Sequence, residues 1–409
     1  MWRKNMSKES LYIFKRIMKA RVQSILFYFF RIIPINTRKI VFCCIEGTTG
    51  YSCNPKYIAE ECIRRNQIGK TEFNLVWLVN DTTKEFPHEI KVVKNTLWNR
   101  AYQLTTAHIW IDNSRKQLEV RKRKKQIYIQ TWHAKLGFKP TGLDRGTSFS
   151  RIAYMVSKHD SDMVDYWLSN SDWYDKTLKT GSLYEGKTLR TGSPRCDILT
   201  NSSKVDRQRV RERFHLPYNA KVLMYAPTFR GGSQGTNRKI EAGSHMPDFN
   251  QLIDNMEGKF GGKWYIFLRL HPQLTARHIN SNVTNECLID VSKEEDMYEI
   301  LAGCDAFMTD YSSAAFDAMI MRIPVLLYAD DYAEYEGERG QLLWDLRDEK
   351  FPFSLSESNR MLEENIRRFD KVVYNAKIEQ LCRNTNMLES GKAAENVVEF
   401  ICSCADCQG

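Results

Sequence analysis

The sequence predicts an α/β chain of two similar halves, each a parallel sheet with helices on both faces, preceded by an amphipathic helix. Three observations predict it. Apolar runs of strand length recur at Lys39–Ile45, Asn74–Val79, His108–Asp112 and Gln126–Thr131, with helical patterns between them, and strand–helix–strand repetition implies parallel pairing with both faces covered. The alternation restarts at Lys221–Ala226 and continues through Trp264–Leu270, Cys287–Asp290 and Ile323–Tyr328. A length of 409 residues, with 42% hydrophobic and 27% charged side chains, suffices for two domains with ordinary cores.

Residues 1–35 mix basic and apolar groups. Spacings of three and four put Leu11, Phe14, Ile17, Met18, Val22, Ile25 and Phe29 on one helical side, and most of Lys4, Lys8, Lys15, Arg16, Lys19 and Arg21 on the other. The apolar run Ile25–Phe30 is far shorter than the roughly twenty residues that span a bilayer. The expected arrangement is therefore a helix lying on an anionic membrane surface, with packing on the protein's own surface as the alternative.

Residues 36–205 form the first expected domain. Glu46–Gly50 is the loop at the carboxyl end of the first strand, and Asn54-Pro55-Lys56-Tyr57 starts a helix with Pro55 suited to its first position. In parallel sheets, functional groups gather in loops beyond the carboxyl ends of the strands. Trp132-His133-Ala134 directly follows such a strand, so His133 stands where a base or a phosphate ligand is expected, and Lys135 and Lys139 favour an anionic guest. A packed or capping histidine is the plainer alternative. Trp167–Ser171 reads as a strand entering a turn, and Thr191-Gly192-Ser193-Pro194-Arg195 as a tight turn after Gly186–Leu189. The polar, basic helical segment Ser203–Arg213 marks the passage to the second domain.

Residues 206–409 form that domain. Its strands end in Pro227-Thr228-Phe229-Arg230 and in His271-Pro272; Arg230–Asn237, rich in Gly, Ser and Thr, is a solvent loop or an active-site loop. The organising stretch is Ala306–Asp317: a short apolar strand, the polar turn Thr309-Asp310-Tyr311-Ser312-Ser313, and a helix start. Unpaired first-turn amides carry partial positive charge there, so a phosphate is the natural guest, with the Ser312 and Ser313 hydroxyls as further donors. Simple helix capping by Asp310 and the serines would use the same residue types. Asp330-Asp331-Tyr332 and the turn Glu338-Arg339-Gly340 follow, and residues 356–401 read as helical, closing on Gly391–Ile401.

The net charge of +10 favours an anionic partner. Eleven cysteines without a regular framework, and no signal peptide, suit a reducing cytoplasm. Cys402, Cys404 and Cys407 have no fourth ligand beside them and read as free thiols; no Cys/His spacing matches structural zinc, so no metal site is assigned. Neither a G-x-x-x-x-G-K-[ST] loop nor a G-x-S-x-G elbow is present.

Seven pieces, N-P-K-Y-I, W-H-A followed by G-F-K, G-S-P-R-x-D, Y-A-P-T-F-R, L-R-L-H-P, T-D-Y-S-S-x-x-F-D and Y-x-x-D-Y-x-x-Y-x-x-x-R-G, together resemble the CDP-glycerol glycerophosphotransferase family, in family order from about Ile40 to Phe353. The resemblance implies two Rossmann-like domains in a GT-B arrangement with the active site in the cleft. It also implies transfer of glycerol phosphate from CDP-glycerol to an acceptor hydroxyl, with release of CMP, in teichoic acid or capsule synthesis. His133 and His271 fall on the family's essential histidines. Thr228, Arg230, Arg269, Asp310, Ser312, Ser313, Asp317 and Arg339 fall on or near donor positions, with Asp317 equally able to support the loop and Arg339 equally able to form a surface ion pair. Lys135 and Lys139 fall on the acceptor side, and the chain departs from the family pattern in Lys135 and Leu136, where relatives often carry small residues, and in Pro140 after Lys139.

The implied partners are the CDP-polyol donor, an undecaprenyl-diphosphate-linked acceptor and an anionic membrane surface, with no nucleic acid, at the cytoplasmic face of a bacterial membrane. No tightly bound cofactor is expected, and Mg2+ is allowed at the diphosphate. A CDP-ribitol-dependent transferase, a nucleotide-sugar glycosyltransferase and a basic nucleic-acid-binding protein are the alternatives.

Overall fold

The computed structural model describes residues 8–228, 246–270, 286–339 and 341–406. Contacts divide the chain into two units. The first holds Met1–His133, Thr141–Arg195 and Lys392–Gly409; the second holds Ala134–Pro140 and Cys196–Gly391.

In the first unit, β1 (Asn36–Cys43), β2 (Asn74–Val79), β3 (Lys91–Lys94), β4 (Ala107–Asp112), β5 (Ile127–Gln130), β6 (Tyr166–Ser169) and β7 (Lys187–Arg190) form one sheet in the order β3-β2-β1-β4-β5-β6-β7. Every neighbouring pair is parallel. The apolar run of β1 is continuous because both of its faces are covered. Ile40 and Phe42 point into a cluster with Ile58, Ala59 and Cys62 of helix α2 (Cys53–Gln67), while Val41 and Cys43 point the other way, into a cluster with Phe27, Phe30 and Leu104. Phe27 lies in α1 (Lys8–Phe29), and Leu104 in α3 (Leu97–Thr106).

The second unit repeats the plan. Strands β8 (Lys221–Tyr225), β9 (Trp264–Leu268), β10 (Leu288–Asp290), β11 (Ala306–Thr309), β12 (Val325–Tyr328) and β13 (Leu355–Ser356) pair in the order β10-β9-β8-β11-β12-β13, all parallel. Strand order reverses between β1 and β4 in one sheet and between β8 and β11 in the other. Such switch points leave a crevice at the carboxyl ends of the strands, where ligands of doubly wound sheets bind.

Three features differ from the sequence reading. The final helix, Ala393–Asp406, belongs to the first unit, not the second: Val397, Val398 and Ile401 join the β1 and α2 cluster, and Arg65 pairs with Glu399 at 2.8 Å. The chain changes units at Arg195/Cys196, with Ala134–Pro140 already assigned to the second. Helix α2 opens at Cys53 after an extended Ser52, which puts Pro55 at its third residue.

Helix α1 has two apolar sides. Ile13, Ala20, Ser24 and Phe27 are buried, whereas Leu11, Phe14, Met18, Val22, Ile25 and Phe29 are exposed, at intervals of three and four. The buried side packs on the protein, one of the two sequence-level alternatives, and the exposed stripe lies on another face of the same helix.

Candidate active site

In the first unit, the loops after β1, β4 and β5 converge on His133. Its Nδ1 lies 3.0 Å from the carbonyl oxygen of Asn113, the residue after β4. A carbonyl can only accept, so Nδ1 carries the hydrogen and Nε2 presents its lone pair. The ring stacks on Trp132 with centroids 4.8 Å apart. Part of the residue reaches solvent, yet protein encloses the ring closely enough that burial lowers the imidazole pKa. The Asn113 bond and the Cys53 thiol oppose that shift, and Arg195 and Arg115 reinforce it. His133 is thus held neutral near pH 7 in the tautomer a base requires.

The frame around it is built by side chains. Asn54 of α2 donates through Nδ2 to the Trp132 carbonyl at 2.7 Å and accepts at Oδ1 from the Arg195 N–H at 3.0 Å. One buried amide thereby joins the N-P-K-Y, W-H-A and G-S-P-R pieces. Asn113 accepts from the Ile45 N–H at 2.7 Å, and Ser114 from the Glu46 N–H at 2.8 Å, tying the β1 loop to the β4 loop. Ile45, Glu46, Cys53 and Trp132 have φ of 44°, 55°, 59° and 48°. Left-handed backbone at four non-glycine residues is costly, and its concentration at one sheet edge marks a functional loop cluster.

A buried carboxyl supports the same loop. Asp160 accepts from the Lys116 N–H at 2.8 Å and the Tyr128 hydroxyl at 3.0 Å, while Gln130 donates to it at 3.4 Å and accepts the Trp132 N–H at 2.9 Å. Burial pushes Asp160 up to about 7, against the pull of these donors and Lys116. An aspartate in the unfolded chain titrates near 3.9, so between the two values the folded protein keeps a proton that the unfolded chain has released. This contribution to stability is full below about pH 4 and is lost as pH rises to about 7. Asp160→Asn should remove that slope, which for about three pK units amounts to a few kcal/mol at most. Denaturant unfolding at pH 5 and pH 8 checks it; a variant whose pH dependence matches the wild type contradicts the assignment.

In the second unit the loops after β8 and β11 meet. Asp310, 1% exposed, accepts the Thr228 N–H on both oxygens at 2.9 Å and the Thr228 hydroxyl at 3.0 Å. Ser312 and Ser313 are partly exposed ahead of the short helix Ala314–Ala318, and Ser312 Oγ accepts the Ala314 N–H at 3.3 Å. Tyr311 stacks on Tyr335 at 3.8 Å and donates to Asp331 at 3.0 Å.

The segment after His133 joins this turn. Gly137 runs so close that a Cβ placed on it would lie 3.7 Å from the Ser313 Cβ. Phe138 packs on Phe316 at 4.7 Å, the Gly137 carbonyl accepts from the Trp344 indole at 3.0 Å, and the Lys139 ammonium sits 5.6 Å from the Tyr335 ring centroid. Lys135 is buried.

Other expected residues have different placements. Arg269 donates to the carbonyls of Val291, at 2.8 Å, and Glu294, and so pins the loop after β10. Asp317 is buried and accepts the Tyr298 hydroxyl. His271, Arg230 and the Arg339 side chain lie outside the described residues. Among the described residues, no cluster of three or more His, Cys, Asp or Glu could hold a metal ion. Asn113, Ser114, Arg115 and Gln130 escaped the sequence reading, although Asn113 follows β4 as His133 follows β5, and the same positional rule would have found it.

Two doubly wound parallel sheets in one chain, each with polar loops at its switch point, place the chain in the GT-B fold class. The chain belongs to the CDP-glycerol:poly(glycerophosphate) glycerophosphotransferase family, whose model matches residues 25–403, and it is accordingly a transferase enzyme. It is similar to the teichoic acid poly(glycerol phosphate) polymerase of Bacillus spizizenii W23, 25% identical over 394 residues that cover 94% of this chain and 97% of that protein. With the protein of the same name from Bacillus subtilis 168 it shares 25% over 383 residues and spans 49% of the length. The structure of the wall teichoic acid polymerase TagF superposes with a TM-score of 0.78 at 24% identity, covering 100% of both chains. A Methanocaldococcus jannaschii UDP-GlcNAc 2-epimerase has the same general fold, at a TM-score of 0.51 and 12% identity over 89% of this chain.

Proposed function

We propose that this chain transfers glycerol phosphate from CDP-glycerol to a hydroxyl of a lipid-linked teichoic acid precursor, of the undecaprenyl-diphosphate type, with His133 as general base. The observation that carries the base assignment is the Nδ1–H bond to Asn113, which leaves Nε2 as the basic nitrogen. The acceptor oxygen bonds to the glycerol-bearing phosphorus, its proton passes to Nε2, and the anhydride P–O bond breaks to release CMP. Phosphoryl-type transfer needs positioning and charge stabilisation more than covalent chemistry. Ser312 and Ser313, at the switch point of the second sheet, are suited to the donor diphosphate; Thr228 is assigned to the same site by family motif, and Asp310 fixes their loops. His271, Arg230 and Arg339 are assigned to the same donor site by family motif. No tightly bound cofactor is proposed, and Mg2+ is an optional aid to the diphosphate.

The test is a mass-spectrometric assay of the purified protein with CDP-glycerol and, separately, CDP-ribitol against a synthetic lipid-linked acceptor, reading CMP and product mass. Glycerol phosphate addition with CMP release is expected. Transfer of a sugar from a nucleotide-sugar, or addition from CDP-ribitol alone, would overturn the reading.

The lipid-linked acceptor requires access to a membrane. Among the described residues no helix is long and apolar enough to cross one. We propose peripheral attachment through the outer stripe of α1, at the cytoplasmic face. Val22 and Ile25 are 63% and 62% exposed, and Lys15, Arg16, Lys19 and Arg21 are exposed on the same helix. Each large apolar side chain fully buried in lipid contributes about 1.5–3 kcal/mol, and nearby lysines add attraction to anionic headgroups. The double variant Val22→Glu, Ile25→Glu should therefore lose co-sedimentation with anionic liposomes while unfolding at the wild-type denaturant midpoint. Unchanged co-sedimentation would refute attachment through this stripe.

A further inference from the structure

Beside His133 lies a pair of thiols that the transfer reaction does not use. Cys44, 1% exposed just past the end of β1, and Cys53, which opens α2 and keeps part of its surface in solvent, pack in the same cluster and interact through their side chains. Around Cys53 the groups are cationic or electron-poor: Nη1 of Arg195 donates to its sulfur at 3.5 Å, and it sits at the amino end of the fifteen-residue helix α2. Arginine and a helix amino terminus stabilise a thiolate. The Cys53 thiol is correspondingly held well below the ordinary thiol range, foremost by its interaction with Cys44 and also by Arg195, while burial and the same interaction raise Cys44. The surroundings favour the thiolate at Cys53, the less enclosed residue of the two, and the thiol at Cys44.

We infer that Cys53 and Cys44 form a peroxide-reactive pair, in which Cys53 is the attacking thiolate and Cys44 the resolving thiol. The Cys53 thiolate attacks one peroxide oxygen, the O–O bond breaks, and hydroxide leaves, giving a sulfenic acid. Cys44 then attacks that sulfur; the S–S bond forms, the S–OH bond breaks, and the Cys44 proton leaves with the hydroxide as water. For hydrogen peroxide the balance is two thiols oxidised to one disulfide and one peroxide reduced to two waters. The bridge reaches the catalytic loop by a short route. Cys44 Sγ accepts from Asn113 Nδ2 at 3.1 Å, and the Asn113 carbonyl is the group that fixes His133. Re-aiming Cys44 toward Cys53 removes that acceptor, and oxidation withdraws the thiolate facing Arg195. The pair is thus placed to switch transfer off reversibly.

The chemistry is tested on the whole protein, independently of the transfer reading. Iodoacetamide labelling at pH 7, resolved by peptide mass spectrometry, should modify Cys53 about ten-fold faster than the partly exposed Cys287, Cys382 and Cys402, since an ordinary thiol is only a few per cent ionised there. One equivalent of hydrogen peroxide should yield a Cys44–Cys53 disulfide that dithiothreitol reverses. Cys44→Ser should instead accumulate a Cys53 sulfenic acid trapped by dimedone. Labelling of Cys53 no faster than the other three, or a disulfide between different cysteines, overturns the pair, and the labelling arm needs no variant. Transfer activity lost on oxidation and regained with dithiothreitol supports the switch; a quantitative Cys44–Cys53 bridge with undiminished transfer overturns it.

Discussion

Replacing His133 with Ala is expected to lower turnover of CDP-glycerol with a lipid-linked acceptor by about 100-fold to 10,000-fold, the usual contribution of a positioned general base. The fold should survive, because the ring bonds to a backbone carbonyl and its stacking partner Trp132 is held independently by Gln130 and Asn54. The pH profile sharpens the test. Burial lowers the His133 pKa, so the neutral base persists to more acidic pH than a free imidazole allows, and the wild-type kcat/KM should fall only below about pH 6.5. Protonation there places a charge on Nε2 and removes the lone pair. The residual activity of His133→Ala should lack this acidic limb. Near-normal turnover, or the same limb in the variant, would show that another group takes the proton.

How far such a site can be read from sequence depends on whether its signals are local. β2, Asn74–Val79, was legible to the residue because its apolar run is sharply bounded and buried on both faces. β3, Lys91–Lys94, was not, since only Val92 and Val93 stand between two lysines and the strand lies at the sheet edge. His133 was legible because its position depends on one strand and the turn that follows it. The meeting of Asn54 with Trp132 and Arg195 was not: those partners are 78 and 141 residues away in sequence, and no periodicity encodes them.

The same limit explains the last helix. Its apolar face is evident locally, but the choice of α2 over the second sheet as a partner is a long-range event. It explains Arg269 as well. The motif marks an arginine at a strand end, and only the fold shows that its Nη1 is taken by two carbonyls of the neighbouring loop. Phosphate contact by that side chain would have to use its other nitrogens.

Asp310→Ala should be the most destabilising single change at the donor edge, by about 3 kcal/mol or more. The carboxylate is buried and accepts the Thr228 and Tyr311 N–H groups and the Thr228 hydroxyl. Hydrogen bonds to a charged group contribute about 1.5–3 kcal/mol each, and an N–H left buried without an acceptor costs about 1–3 kcal/mol. Alanine leaves two such N–H groups. Water entering the vacated space would offset part of the loss, so the terms do not simply add. Asp310→Asn keeps one acceptor oxygen and the shape, and should cost roughly half as much. What remains in both variants is the parallel tie from the Thr309 hydroxyl to the Ala226 carbonyl at 2.6 Å, which holds the strands together while the loops beyond them separate. Donor affinity should therefore fall more than the rate at saturation: KM for CDP-glycerol rises in Asp310→Asn while kcat changes little, because His133 stands on the other sheet. Equilibrium unfolding in urea measures the first effect and steady-state kinetics the second. An Ala variant within 1 kcal/mol of the wild type, by the same scale, would mean that the two loops are held by something other than this carboxylate.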